Sequence, residues 1–177
     1  RRPPRSTLFP YTPLFRSVRA HSQTSGGWKG VAALSKHPTR ALPVAWDPDI
    51  SASSRVLVTS TLLHDMWVTM GTMYGESAGT WHPQYLHHND QLLHAVATQV
   101  CLYSTGLRVV AGDFNLKEHD VAAFQILESA GFRDIQSIAS DRWGHQIQNT
   151  CKCSTRVDFM YISPELQTLL MSVEIDD

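Results

Sequence analysis

The 177 residues predict an α/β (α+β) fold, a mixed sheet packed with helices, and three observations carry that expectation. First, short runs rich in β-branched and aromatic residues recur at Arg55–Thr61, Asp65–Tyr74, Leu107–Ala111 and Arg156–Ile162. Second, the first two of these meet across His64-Asp65, whereas amphipathic helical stretches separate the others. Hairpin-joined and helix-joined strands in one chain exclude an all-parallel doubly wound sheet. Third, 42% hydrophobic and 18% charged residues suit one globular domain with a sizeable core. No internal repeat marks a second domain, and no apolar stretch is long enough for a membrane-spanning helix, so no membrane partner is expected.

The elements follow in order. Residues 18–29 are polar and Gly/Ser-rich and read as a loop. Gly30–Ser35 reads as a short buried strand stopped at His37-Pro38, and Pro43–Ser54 as a turn-rich connection. Arg55–Thr61 and Asp65–Tyr74 form an antiparallel pair, followed by a loop from Gly75 to Pro83. Asp90–Cys101 carries Leu93, Val96, Ala97 and Val100 at helical spacing. Asp120–Ala130 is a second helix with Val121, Phe124 and Leu127 on one side and Gly131 as its stop signal. Residues 136–154 read as a long loop or short hairpin. Ser163-Pro164-Glu165 opens a short helix after the strand Arg156–Ile162, with Ser163 as its cap, and Met171–Ile175 starts a further strand.

The N-terminus stands apart. Arg1-Arg2-Pro3-Pro4-Arg5 through Leu14-Phe15-Arg16-Ser17 resembles one reading frame of a sequencing-library adapter, matching it everywhere except Pro13, where the adapter encodes Thr. Residues 1–17 are therefore expected to be a disordered artefact, set against the plainer alternative of a Pro/Arg-rich tail. The prolines at 3, 4, 10 and 13 exclude a signal peptide. Without Arg1, Arg2, Arg5 and Arg16, the 15 basic residues fall to 11 against 16 acidic ones, a net charge of −5. That disfavours a protein that coats nucleic acid through global basicity, while leaving a local basic groove open. Three cysteines, Cys101, Cys151 and Cys153, are too few for a disulfide scaffold and suit a reducing, intracellular compartment.

Gly112-Asp113-Phe114-Asn115, directly after the apolar run Leu107–Ala111, is the most informative stretch. A buried strand ending in a glycine turn would bring a carboxylate and a carboxamide side by side, on one side if the strand geometry persists. A carboxylate holds a metal or takes a proton from water, and a carboxamide donates to a phosphate oxygen. The pair reads as a hydrolytic site; the plainer alternative is an Asx-rich turn.

Val109–Asn115 resembles the strand-turn signature of the endonuclease/exonuclease/phosphatase superfamily, which has the DNase I-like fold. Three further stretches match in the family's order: Gly30–Ser35, Thr72-Met73-Tyr74-Gly75, and Arg156–Ser163. The resemblance implies a four-layered α/β sandwich over residues 18–177, incomplete at both ends. It also implies roles. Asp113 matches the aspartate that orients or deprotonates the attacking water. Asn115 and Tyr74 match residues that bind the scissile phosphate. Asp158 matches the aspartate that orients a catalytic histidine. Taken alone, Tyr74 could be a half-buried strand tyrosine, and Asp158 could pair with Arg156 on a strand face. Trp143, placed by the resemblance in a loop lining the substrate cleft, could stack on a base or simply cover the core edge.

The family holds Mg2+ (or Mn2+) through an upstream glutamate and closes with an Asp-His motif. No glutamate precedes Glu76 and no histidine follows His145. No metal ligand is therefore assigned in this chain, and the Mg2+ or Mn2+ cofactor is expected of a full-length parent. The chain is expected to be the middle of such an enzyme, inactive and poorly stable alone, with exposed sheet edges. Other candidates are weaker. His82, His87, His88 and His94 lack paired metal-ligand spacing, and His94 is read as a surface pair with Asp90. His145, Cys151 and Cys153 make only a partial zinc set, and Gly26-Gly27 with Lys29-Gly30 lacks phosphate-loop spacing.

The resemblance thus implies a metal-dependent phosphodiesterase acting on nucleic acid, most simply DNA. Asn149–Phe159 and Ile162–Gln167 are similar to endonuclease domains of retroelements. That branch implies a reverse transcriptase domain in the same parent polypeptide and a nuclear site of action. The rival readings are an inositol-phosphate or lipid phosphatase of the same fold and a non-catalytic binding relative.

Overall fold

The computed structural model describes residues 16–19, 30–44, 48–51, 53–117, 121–151 and 155–174. The elements, in chain order, are β1 (Arg16–Arg19), β2 (Ala32–Ser35), β3 (Thr39–Leu42), α1 (Pro48–Ser51), β4 (Val56–Leu63), β5 (Met66–Tyr74), α2 (Pro83–Leu102) and β6 (Leu107–Asp113). Then come α3 (Ala123–Ser129), β7 (Arg133–Asp134), α4 (Ile135–Trp143), β8 (Asp158–Ile162) and α5 (Pro164–Gln167). Strands β3 to β8 form one six-stranded mixed sheet in the order β3-β4-β5-β6-β8-β7, and β1 pairs with β2 in a separate ribbon.

Local chemistry explains the pairing. β4 and β5 are joined by a two-residue loop in which His64 and Asp65 both take positive φ, 45° and 67°. That backbone twist suits a tight hairpin and fixes Leu63 opposite Met66. The crossover through α2 then makes β5 and β6 parallel, and β8 returns antiparallel to β6. Two cross-strand rows face α2 and α3: Val58–Gly71–Val110–Tyr161 and Val56–Met73–Gly112–Phe159. Leu92, Leu93, Val96 and Val100 of α2, with Phe124 and Leu127 of α3, close over them as the main core. The opposite face holds a smaller cluster, Val109 and Ile162 against Ile138 of α4.

Several boundaries differ from the sequence expectation. Arg16 and Ser17, at the end of the adapter-like stretch, lie in β1 with Val18 and Arg19; main-chain pairing to β2 places few demands on side chains. Residues 1–15 and 20–29 lie outside the described residues. The turn-rich connection contains the short helix α1, and β3 precedes it. Helix α2 starts at Pro83, not Asp90, because proline is well tolerated at the first helical turn. Its buried stripe continues upstream through Asn89, whose polarity hides the period.

Helix α3 starts at Ala123, where Asp90 Oδ1 accepts the Ala123 N–H at 3.2 Å. Asp90 therefore caps a neighbouring helix, where the sequence had suggested a surface pair with His94. The stretch read as loop or hairpin contains α4, capped by Asp134, whose carboxylate accepts the Ser137 N–H at 2.9 Å. Ser163 precedes α5 but makes no side-chain cap; its Oγ accepts the Arg108 N–H at 3.3 Å instead. Met171–Glu174 form no strand, and 175–177 lie outside the described residues. Among the described residues, no helix is long and apolar enough to cross a membrane.

Gly71 shows how closely α2 lies on the sheet. A Cβ there would sit 2.5 Å from Val96 Cγ1 and 2.8 Å from Val100 Cγ2. Gly71→Ala should cost about 1–3 kcal/mol through overpacking, read as a lower denaturant midpoint at unchanged slope. A midpoint equal to that of the parent sequence would show that α2 is not seated this tightly.

Candidate functional site

β6 reaches two residues beyond the expected end at Ala111, through Gly112 to Asp113. Gly112 is needed twice over: its φ is 151°, and a Cβ would lie 1.9 Å from Met73 O. This close approach holds the strand ends in register. Tyr74 of β5 is paired with Asp113 of β6, and Asp113 with Asp158 of β8. Since Met73, Gly112 and Phe159 face the helical core, alternation turns Tyr74, Asp113 and Asp158 to the other face at the same sheet end.

Asn115 joins the row by a different route from the one its spacing suggested. The strand stops at Asp113, Phe114 buries itself against Phe124 and Phe159, and Asn115 takes a left-handed φ of 49°. Its side-chain Nδ2 donates to Gly75 O at 3.4 Å. Asp113 and Asn115 are thus brought together by a turn in the chain, not by strand periodicity.

Electrostatics distinguish the two aspartates. Burial raises the Asp113 carboxyl above its ordinary 3.8, and the nearby Asp158 charge raises it further; hydrogen bonds from the Asn115 backbone and side chain oppose the rise. Asp113 Oδ1 is buried with no hydrogen-bond partner among the described residues. The alternative that Asp158 is held by Arg156 does not apply. Arg156 is directed to Asp134, with Nη1 donating to Oδ2 at 3.0 Å and Nη2 to Oδ1, and its guanidinium lies 4.4 Å from the Phe159 ring centre.

The remaining candidates lie elsewhere. Trp143 belongs to the last turn of α4, not to a loop, and its ring faces His145 at 5.9 Å. Among the described residues, no group of three His, Cys, Asp or Glu could hold a metal ion, so neither the histidines of α2 nor His145 with Cys151 forms such a cluster. Cys153 lies outside the described residues. Cys101 is buried, and desolvation pushes its thiol up to about 11.

Sequence reasoning missed three residues behind the row. Arg55, just ahead of β4, sends Nη1 to Tyr74 O and Gly75 O, both at 3.1 Å, and Nη2 to Glu76 Oε2 at 2.7 Å. Its guanidinium lies 5.4 Å from the Tyr74 ring centre. Asn89, fully buried in α2, accepts the Glu76 N–H and reaches the Asn115 carbonyl. The usable signal was Asn89 standing three after Leu86 and four before Leu93, a polar residue on an apolar stripe.

A scan against protein-family models gave no match, and neither did a search of curated proteins. Solved structures do match. An AP endonuclease from Archaeoglobus fulgidus superposes with a TM-score of 0.63 at 13% identity, covering 88% of this chain and 69% of that one. The endonuclease domain of TRAS1, a telomere-specific non-LTR retrotransposon, gives 0.60 at 16% identity, covering 92% and 71%. A 3′ phosphatase from Neisseria bound to a product DNA hairpin gives 0.60 at 15%, covering 88% and 69%. The chain therefore has the DNase I-like fold that its motifs resemble.

Asp158→Asn tests the coupling within the row. Removing the like charge should lower the Asp113 titration midpoint, followed by carboxyl carbon NMR. A carboxyl raised in the fold costs stability as pH climbs from 3.8 through its raised value, so Asp158→Asn should also raise the melting temperature near neutral pH. An unmoved Asp113 midpoint would separate the two aspartates.

Proposed function

We propose that Tyr74, Asp113, Asn115 and Asp158 form the phosphate-handling part of a phosphodiesterase site that hydrolyses nucleic acid. The row of paired strand ends, with a carboxyl of raised pKa at its centre, carries this reading. A carboxylate with an upward-shifted pKa is a better match for deprotonating water than an ordinary one. In the proposed step, water attacks phosphorus in line and its proton passes to Asp113. The new P–O bond forms as the bond to the leaving oxygen breaks, and the leaving oxygen takes its proton from solvent or from a donor outside the row. The Asn115 carboxamide and the Tyr74 hydroxyl donate to the phosphate oxygens as charge builds. Burial raises the Asp113 carboxyl and the Asp158 charge adds to the rise; in the family's scheme Asp158 would also orient a histidine. Trp143, on α4, remains the candidate for stacking on a base.

The described residues do not build a metal site by themselves. A requirement for Mg2+ or Mn2+ in the parent protein is proposed on the resemblance, together with low activity for this chain alone. DNA is the preferred substrate, since the structures it resembles include endonucleases and a phosphatase bound to DNA. The likeness to the TRAS1 domain, added to the motif similarity at Asn149–Phe159, supports a retroelement-encoded domain. A reverse transcriptase in the same polypeptide and a nuclear site of action follow from that proposal.

Plasmid nicking by the parent protein is the test, run beside phosphate release from inositol phosphates. Asp113→Ala should slow nicking about a hundred- to ten-thousand-fold, Asn115→Ala about a hundred- to a thousand-fold, and a chelator should stop it. Phosphate release without nicking would move the assignment to the phosphatase reading. Full nicking by Asp113→Ala would remove Asp113 from the chemistry.

A further inference from the structure

The turn that carries Asn115 is fastened from beneath. Asn89 sits in the second turn of α2 with its side chain wholly buried, on a stripe continued by Leu92, Leu93, Val96 and Val100. Its three side-chain hydrogen bonds all run to the two loops at the sheet end. Its Oδ1 accepts the Glu76 N–H at 2.7 Å, and its Nδ2 donates to Glu76 O at 3.1 Å and to Asn115 O at 3.3 Å. One side chain thus ties the loop after β5 to the loop after β6.

Two glycines make room for this contact. A Cβ on Gly75 would lie 2.2 Å from Phe114 O and 2.9 Å from Asn89 Nδ2; one on Gly79 would lie 2.1 Å from Asn89 Nδ2 and 2.4 Å from Asn115 O. Arg55 braces the same node from the other side by binding the Tyr74 and Gly75 carbonyls and the Glu76 carboxylate. A buried amide in a helix is costly unless every group is paired, and here the pairing is spent on loop backbone instead of on the helix. Asn115 also needs outside support, since a non-glycine residue at φ 49° sits in a disfavoured region.

We propose that Asn89 is a positioning residue: it holds the Asn115 carbonyl and the Glu76 backbone so that the Asn115 amide is locked beside Asp113. This rests on the reading of Asn115 and Asp113 as phosphate-handling groups. Asn89 itself touches neither substrate nor reacting atoms. Its role is to make the turn rigid, which a phosphate-binding amide needs to act without reorganising.

The test is NMR on the full chain, which reports the turn without any catalytic turnover. Asn89→Ala removes all three hydrogen bonds and favours the helix. Gly79→Ala leaves α2 intact and pushes on the same point from the loop. In either variant the contacts between the Asn115 side-chain amide and Gly75 should be lost. The Asp113 midpoint should rise because the opposing Asn115 hydrogen bonds weaken while the Asp158 charge stays. In the parent protein both variants should lower kcat by more than they change KM. Unchanged Asn115 contacts and an unchanged Asp113 midpoint in a folded variant would overturn the proposal. Global unfolding by both substitutions would overturn it equally, assigning these contacts to the fold as a whole. Should the parent prove inactive, the functional reading fails while the NMR result still decides whether Asn89 holds the turn.

Discussion

The register between β5, β6 and β8 is the constraint on which the candidate site depends. Side chains alternate at period two, so a slip of one residue in β6 would send Asp113 into the helical core and bring Gly112 to the site face. Gly112 guards against that slip. Only a residue without a Cβ fits where β6 passes Met73, and the neighbouring rows in β5 and β8 place Met73 and Phe159 against the same core. The packing of large apolar groups on one face thereby sets which polar groups share the other.

That arrangement concentrates unfavourable electrostatics at one sheet end. Asp113 is part-buried, next to a second aspartate, with one oxygen unpartnered among the described residues. An arginine two residues before Asp158 would be the simplest relief, yet Arg156 is committed to Asp134, almost wholly buried beside it. Asp134 in turn caps α4, so the same carboxylate starts a helix and holds Arg156. The fold thus leaves the Asp113 carboxyl raised, a condition that costs stability and suits proton transfer.

How much of this was legible in the sequence varied with the physics involved. The hairpin at His64-Asp65 and the strands around Val58, Val110 and Tyr161 declared themselves through local turn chemistry and β-branched runs. Asp113 stood out in the sequence through the glycine turn after an apolar run, and Tyr74 and Asp158 only through the strand motifs that resemble the family's. Their common row was not, because register is a property of three strands at once. Helix α4 was missed because Gln136, Ser137, Ser140 and Asp141 give it a polar surface; what starts it is the Asp134 cap, a tertiary hub bonded to Arg156. Asn115 was placed at the site for the wrong geometric reason, since the turn, not the strand period, delivers it.

Asn89 and Asp90 show why the rest stayed hidden. They are consecutive polar residues on α2, and each is used by a different distant segment: Asn89 by the loops after β5 and β6, Asp90 by the first residue of α3. None of these contacts can be read from spacing, because the partners lie 13, 26 and 33 positions away. Helix α2 is therefore more than an apolar cover for the sheet. Leu93, Val96 and Val100 anchor it to the core, and that anchoring lets the preceding turn present fixed polar groups to loops that could not order themselves. Rigid burial along the later turns of the helix is what makes a precise turn at Asn115 possible.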